Sequence, residues 1–204
     1  MSDSTGRKLP NARVRRVMLA IQEVMGRSGL TTVVRQAGLP RYAAELPPSN
    51  TQTVMTAAEY AALMQAIENY YGRGARGTLT RIGYAAFNLL LKSQPLSARF
   101  YKLLFLVLPP QSRQLTALRV LARDMAAPAG QVTAHRDDRR VVLVDHEGDA
   151  AFSRQRDSEV CWVTLGQIQA ALKWSTGSDY DVVEESCKAK GAPACRFEIG
   201  EALS

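Results

Sequence analysis

Apolar residues recur at helical spacing as far as about residue 127 and then shift to strand spacing. In "NARVRRVMLAIQEVMG", Val14, Val17, Met18, Ile21, Val24 and Met25 form one stripe, with Arg13, Arg15 and Arg16 mostly off it. Asn11 is the expected N-cap and Gly26 the expected stop. A second short helix, "LTTVVRQAG", ends at Gly38, and "LPPSNTQTVM" is a loop by its prolines and small polar residues. Thr56 and Glu59 spell a capping box that opens a helix through "YAALMQAIENYY". Two unusually apolar helices follow in "TLTRIGYAAFNLLLKS" and "LSARFYKLLFLVL". A third, "QSRQLTALRVLARDMA", ends before Pro128 and Gly130.

The texture then changes. "GQVTAHRDDRRVVLVDHEG" carries two β-branched runs around Asp137 and Asp138, the pattern of a hairpin. Thr164 and Gln167 spell a second capping box, and Leu165, Ile168 and Leu172 line one face of a helix that stops at Gly177. "YDVVEESC" and "ACRFEI" form another hairpin around "KAKGAP", with Cys195, Phe197 and Ile199 on one face. The expected fold is α+β: a helical N-terminal part packed on a C-terminal four-stranded antiparallel sheet of order β-β-α-β-β. Residues 1–10 are expected to be disordered. Residues 11–50 form a helical arm offering a homodimer contact, and 51–204 a ligand-binding domain with a metal site.

Composition changes this picture little, and charge more. A chain of 204 residues with 46% apolar content buries a core without disulfide staples. The longest apolar run, "FYKLLFLVLPP", contains Lys102 and stops at Pro109 and Pro110, well short of the roughly 20 residues a membrane span needs. The N-terminus lacks the pattern of a signal peptide, and an odd cysteine count without one points to the cytoplasm. Up to Ala127 there are 17 Lys/Arg and 6 Asp/Glu, +11; from Pro128 there are 9 and 13, −4, giving the net +7. The basic half is a solvated helical surface, or a nucleic-acid contact through Arg13, Arg15, Arg16, Arg27 and Arg35 in a faint helix-turn-helix pattern. Gly72, Gly74 and Gly77 spell G-x-G-x-x-G, but a helix precedes them where a dinucleotide site needs a strand, so they mark a helix break.

All three cysteines fall in the last quarter. Cys161, Cys187 and Cys195 with Glu184 make a plausible tetrahedral metal site of three thiolates and a carboxylate, with Lys188, Lys190 and Arg196 nearby as compensating charge. Residues 184 and 187 lie on opposite faces of a regular strand, so this set needs a bulge. Glu185, His135 or His146 are alternative fourth ligands; a buried thiol trio and a Cys187–Cys195 disulfide are the metal-free alternatives.

At these residues "GSDYDVVEESCKAKGAPACRFEI", with the upstream Cys161-Trp162 and "LKWSTG", resembles the 4-vinyl reductase domain family over about residues 131–199. The resemblance implies a fold like that of TRAPP-complex subunits and of the sensor domains of phenol-responsive activators. It also implies a structural zinc held by Cys161, Glu184, Cys187 and Cys195, and a small hydrophobic or aromatic ligand between helices and sheet. Tyr84, Phe87, Phe100, Tyr101 and Leu104 are candidate lining, with Phe105, Leu108, Trp162 and Trp174; ordinary core is the plainer role for each.

With two histidines and no serine or free cysteine placed beside them, no catalytic constellation is evident. The expected function is therefore a non-enzymatic sensor or carrier domain for a hydrophobic ligand. A carrier or auxiliary enzyme of (bacterio)chlorophyll synthesis comes second, although no nicotinamide or flavin fingerprint supports a reductase. DNA binding by the N-terminal helices comes third.

Overall fold

The computed structural model describes residues 7–126, 131–138 and 140–203. Strand β1 (Lys8–Pro10) pairs antiparallel with β2 (Thr53–Thr56), so residues 8–10 are held in a small sheet; the first six of the residues expected to be disordered lie outside the described part. Helix α1 (Asn11–Gln36) begins directly after Pro10. Its first helical segment stops at Gly26, as expected: that residue is non-helical (φ 74°, ψ 169°), and a second helical segment runs beyond this kink to Gln36, ahead of Gly38 at φ 75°. The stretch is thus two helical segments joined at a single glycine, without the three- to four-residue turn of a helix-turn-helix.

The apolar stripe of α1 is covered by the chain's own helices, which removes the argument for a homodimer through it. Three of the five arginines proposed for phosphate contacts are also engaged internally. Arg13 pairs with Asp149, Arg16 with Asp124, and Arg15 donates to the Pro47 carbonyl.

A short turn of helix, α2 (Arg41–Ala44), leads to the β2 strand and then α3 (Ala57–Tyr71). The Thr56–Glu59 capping box is formed in both directions. Gly72–Gly74 make the expected break as one 3-10 turn. Helices α4 (Ala75–Ser93), α5 (Pro95–Val107) and α6 (Pro110–Met125) follow, the last two with proline in the first turn, where its missing N–H costs nothing. Helix α6 ends at Met125, before Pro128 and Gly130 as expected.

The C-terminal part is antiparallel: β3 (Val132–Asp137), β4 (Arg140–Asp145), α7 (Trp162–Thr176), β5 (Tyr180–Ser186) and β6 (Cys195–Ala202), with strand order β3-β4-β6-β5. On β6, Cys195, Phe197 and Ile199 point into the core. The second capping box does not form: the helix starts at Trp162, with Cys161 as N-cap, so Thr164 and Gln167 are buried inside the first turns.

Helix α7 joins the two halves by lying on β5, α6 and α4. Its contact with α4 is backbone against backbone. A Cβ added at Gly83 would lie 2.0 Å from the Val163 carbonyl oxygen, and one at Gly166 only 1.9 Å from that of Thr80. Two glycines on facing helices therefore close the interior at this level.

Candidate metal centre

Three elements deliver the four donor residues. Cys161 sits at the N-cap of α7, Glu184 on β5, Cys187 just past the end of β5, and Cys195 at the first position of β6. The obstacle posed by the 184/187 spacing is met by a bulge. Glu184 pairs with Phe197 and Ser186 with Arg196, so Glu185 is an extra residue on β5. Glu185 turns outward to accept from Arg196 Nε at 2.8 Å, while Glu184 turns inward, which separates the two glutamates.

The side chains converge. Cys161 Sγ lies 3.4 Å from Cys195 Sγ and 4.0 Å from Cys187 Sγ, and all four donor atoms lie within 4.8 Å of one another. Two sulfurs bound to one ion at about 2.3 Å and a tetrahedral angle stand roughly 3.8 Å apart, between the two observed distances. All three cysteines are free thiols, at most 1% exposed, so the hairpin carries no disulfide. His135 and His146 are both exposed and belong to the other hairpin.

Burial leaves this cluster polar but incompletely satisfied. Glu184 Oε2 accepts from the Cys161 N–H at 3.3 Å, yet Oε1 is buried with no hydrogen-bond partner. An orphaned carboxylate oxygen facing three thiols is the signature of a site that favours a cation. Burial, reinforced by Cys187, pushes the Glu184 carboxyl up to about 8. Hydrogen bonds to Cys187 and Cys195, then burial, push the Cys161 thiol well up. The Cys187 thiol is pulled down because Cys161 and Cys195 donate to it. Cys195 is pulled down by Cys161, but its hydrogen bond to Cys187 and its burial outweigh this and raise it.

The surroundings include groups that the sequence did not reveal. The Lys188 N–H points at Cys195 Sγ (3.4 Å), and Gly148 at φ 58° passes so close that a Cβ there would lie 3.3 Å from that sulfur. The three nearby cations take other partners: Lys188 Nζ the His146 carbonyl, Lys190 the Glu159 carboxylate, Arg196 Glu185 and Asp137. Backbone N–H groups, not these cations, face the thiols.

Several of the residues considered for a ligand pocket pack on one another, while Phe105 and Trp174 also line a surface cleft of about 550 Å³ and Tyr101 lines another. Phe105 lies edge-on to Trp174 at 4.9 Å, and Phe87 and Tyr101 meet the same indole at 5.9 and 6.1 Å. Tyr84, Leu108 and Trp162 are half-buried at the edge of this core, with the Arg76 guanidinium over Trp162, and Leu104 is half-buried on α5. Phe100 points outward.

No protein-family model matches the chain, and no curated protein sequence does. Solved structures do match. An H-NOX protein from S. oneidensis in the Fe(II)NO ligation state aligns over 93% of this chain and 99% of its own, at 12% identity and TM-score 0.56. The Fe(II) unliganded H-NOX protein from K. algicida aligns over 96% and 97%, at 12% identity and TM-score 0.60. An oxygen-binding H-NOX domain related to soluble guanylate cyclases aligns over 90% and 89%, at 9% identity and TM-score 0.57. The fold is that of the H-NOX domains.

This corrects the resemblance to the 4-vinyl reductase family and to TRAPP subunits. That resemblance rested on about residues 131–199, whereas the H-NOX fold accounts for nine-tenths of the chain or more. The expectations drawn from it lose their support: a zinc-stabilised carrier of hydrophobic ligands, structural zinc as cofactor, and a place in bacteriochlorophyll synthesis. Among the solved neighbours, one study concerns heme distortion in the H-NOX family.

Heme does not fit the residues present here. A heme iron takes an axial His, Cys, Met or Tyr beside a slot for the porphyrin. Both histidines are exposed on the β3–β4 hairpin and its exit, and the three cysteines face one another. The α4–α7 contact is closed by Gly83 and Gly166. Five surface clefts of about 320 to 690 Å³ are lined by no His, Cys or Met. Tyr101 lines one of them, with its ring packed against Trp174.

Proposed function

We propose that this chain is a binding domain on the H-NOX fold whose inorganic group is a thiophilic divalent metal ion held by Cys161, Glu184, Cys187 and Cys195. The convergence of four buried donor atoms within 4.8 Å carries this reading, and the unpartnered Glu184 Oε1 supports it. With four protein donors and no solvent access the set is closed, so the centre retains an ion and does not offer it to a substrate. Thiols that must stay reduced suit the cytoplasm.

Elemental analysis of the purified protein should find a bound divalent metal. The metal-free protein should take up Co(II) with thiolate charge-transfer and tetrahedral absorption bands. Cys187→Ser should weaken uptake more than about a hundredfold, beyond the loss typical of changes to groups that merely support a ligand. Added hemin should give no spectrum of axially ligated heme. Absence of both native metal and Co(II) uptake would overturn the reading, as would a ligated heme spectrum.

The affinity should depend on pH with a definite sign. Glu184, Cys161 and Cys195 are pushed up and hold protons that the metal must displace, whereas Cys187, pulled down, gives up its proton more readily. Metal affinity therefore falls as pH falls, by about tenfold per unit for each proton displaced, or roughly 100- to 1000-fold between pH 7.5 and 6.5. Co(II) titrations at the two pH values, with proton release followed by an indicator dye, measure this directly.

A further inference from the structure

Helix α5 is apolar on the side that faces the protein and also on the side that faces away. Only Phe105 is buried on it, while Leu96, Phe100, Leu103, Leu106 and Val107 are between 64% and 79% exposed. Leu96, Phe100, Leu103 and Val107 are spaced four, three and four residues apart, which lines them up on one face at about 100° per residue. A soluble helix ordinarily turns polar residues outward, so an exposed, mostly apolar arc of this size marks a surface that something covers.

The charge around it is one-signed. Residues 69–123 contain nine Lys and Arg and no Asp or Glu. Arg99, Lys102 and Arg113 share a cleft of about 550 Å³ with Leu103, Leu106 and Trp174. No salt bridge engages these three cations among the described residues. We infer that the outward face of α5 docks on an anionic lipid surface, with its leucines and Phe100 entering the acyl boundary and Arg99 and Lys102 reaching the phosphates.

Two observations select a lipid surface over a protein. A second copy laid face to face would oppose basic clusters of the same sign. By helical angle Arg99 falls inside the apolar arc, between Leu106 and Leu103. A protein partner would desolvate that guanidinium at the centre of the contact, whereas at a membrane the long side chain snorkels to the headgroup layer. No helix among the described residues is long and apolar enough to cross a membrane, so the contact is peripheral. This inference stands apart from the metal centre.

The test is co-sedimentation of the full chain with vesicles of equal parts phosphatidylglycerol and phosphatidylcholine, against vesicles of phosphatidylcholine alone. The expected result is binding to the anionic vesicles about tenfold or more tighter than to the neutral ones, weakened by salt. Leu103→Asp should abolish it, and Arg99→Glu with Lys102→Glu should remove the anionic preference. Circular dichroism should be unchanged in each variant, because the side chains are exposed. The inference is overturned if wild-type protein fails to sediment with anionic vesicles, or if Leu103→Asp binds as wild type does. A soluble dimer dissociated by Leu103→Asp, without vesicle binding, would assign the face to a second copy and equally overturn it.

Discussion

Gly166→Ala is expected to destabilise the protein by about 3 kcal/mol, at the upper end of what overpacking ordinarily costs. The added methyl carbon would stand 1.9 Å from the Thr80 carbonyl oxygen and 2.8 Å from its carbonyl carbon. These are backbone atoms of a facing helix, so no rotamer change relieves the clash and α4 must move away from α7. The intrinsic helix preference for alanine over glycine returns only about 1 kcal/mol. Gly83→Ala should behave alike, since its methyl would meet the Val163 carbonyl oxygen at 2.0 Å. Once the helices have separated for one methyl the second finds space, so the double variant should cost clearly less than the sum. Urea unfolding followed by the fluorescence of Trp162 and Trp174 measures all three. A cost below about 1 kcal/mol for either single variant would show that the helices are not in backbone contact.

The second large effect is at Asp149. This carboxylate is 3% exposed and accepts from Arg13 at 2.8 Å, with Arg7 on its other oxygen. Arg13 is itself buried and donates as well to the Met125 carbonyl at 3.0 Å. Asp149→Ala leaves that guanidinium in the interior without its counter-charge, a loss of about 3–5 kcal/mol when one partner of a buried pair is removed. Arg13→Met in the same background removes the stranded charge and fills its volume, so the double variant should recover much of the loss. Thermal unfolding of the two single variants and the double variant decides it. Additive losses would mean that the two residues do not act as a pair.

These effects also mark where the sequence was legible. Periodic stripes located the helices, Thr56 and Glu59 announced a cap that forms, and alternation placed Cys195, Phe197 and Ile199 on one face. Arg13 was unreadable because its partner lies 136 positions away, and local polarity assigned it to solvent. Gly26 read as a stop because a positive-φ glycine ends many helices, and its backbone does leave the helical conformation there. The Thr164–Gln167 box failed because the chain enters α7 earlier, at a Cys161 whose N–H is held by Glu184. The four donors could be gathered from spacing only by supposing a bulge, and the bulge is present. The family assignment failed for a different reason. A cysteine-bearing hairpin is a local pattern that different folds can share, whereas topology is a property of the whole chain.

The extra residue that lets Glu184 and Cys187 face the same way lies on β5, an outer strand of the sheet with one side unpaired. Unpaired strands invite other chains to add to them, and Val183 beside the bulge is half exposed. The distortion at Glu185 breaks the flat row of amide groups that such an addition would require, and sets an ion pair with Arg196 beside it. The irregularity that assembles the thiol cluster therefore also makes the sheet a poor template for aggregation.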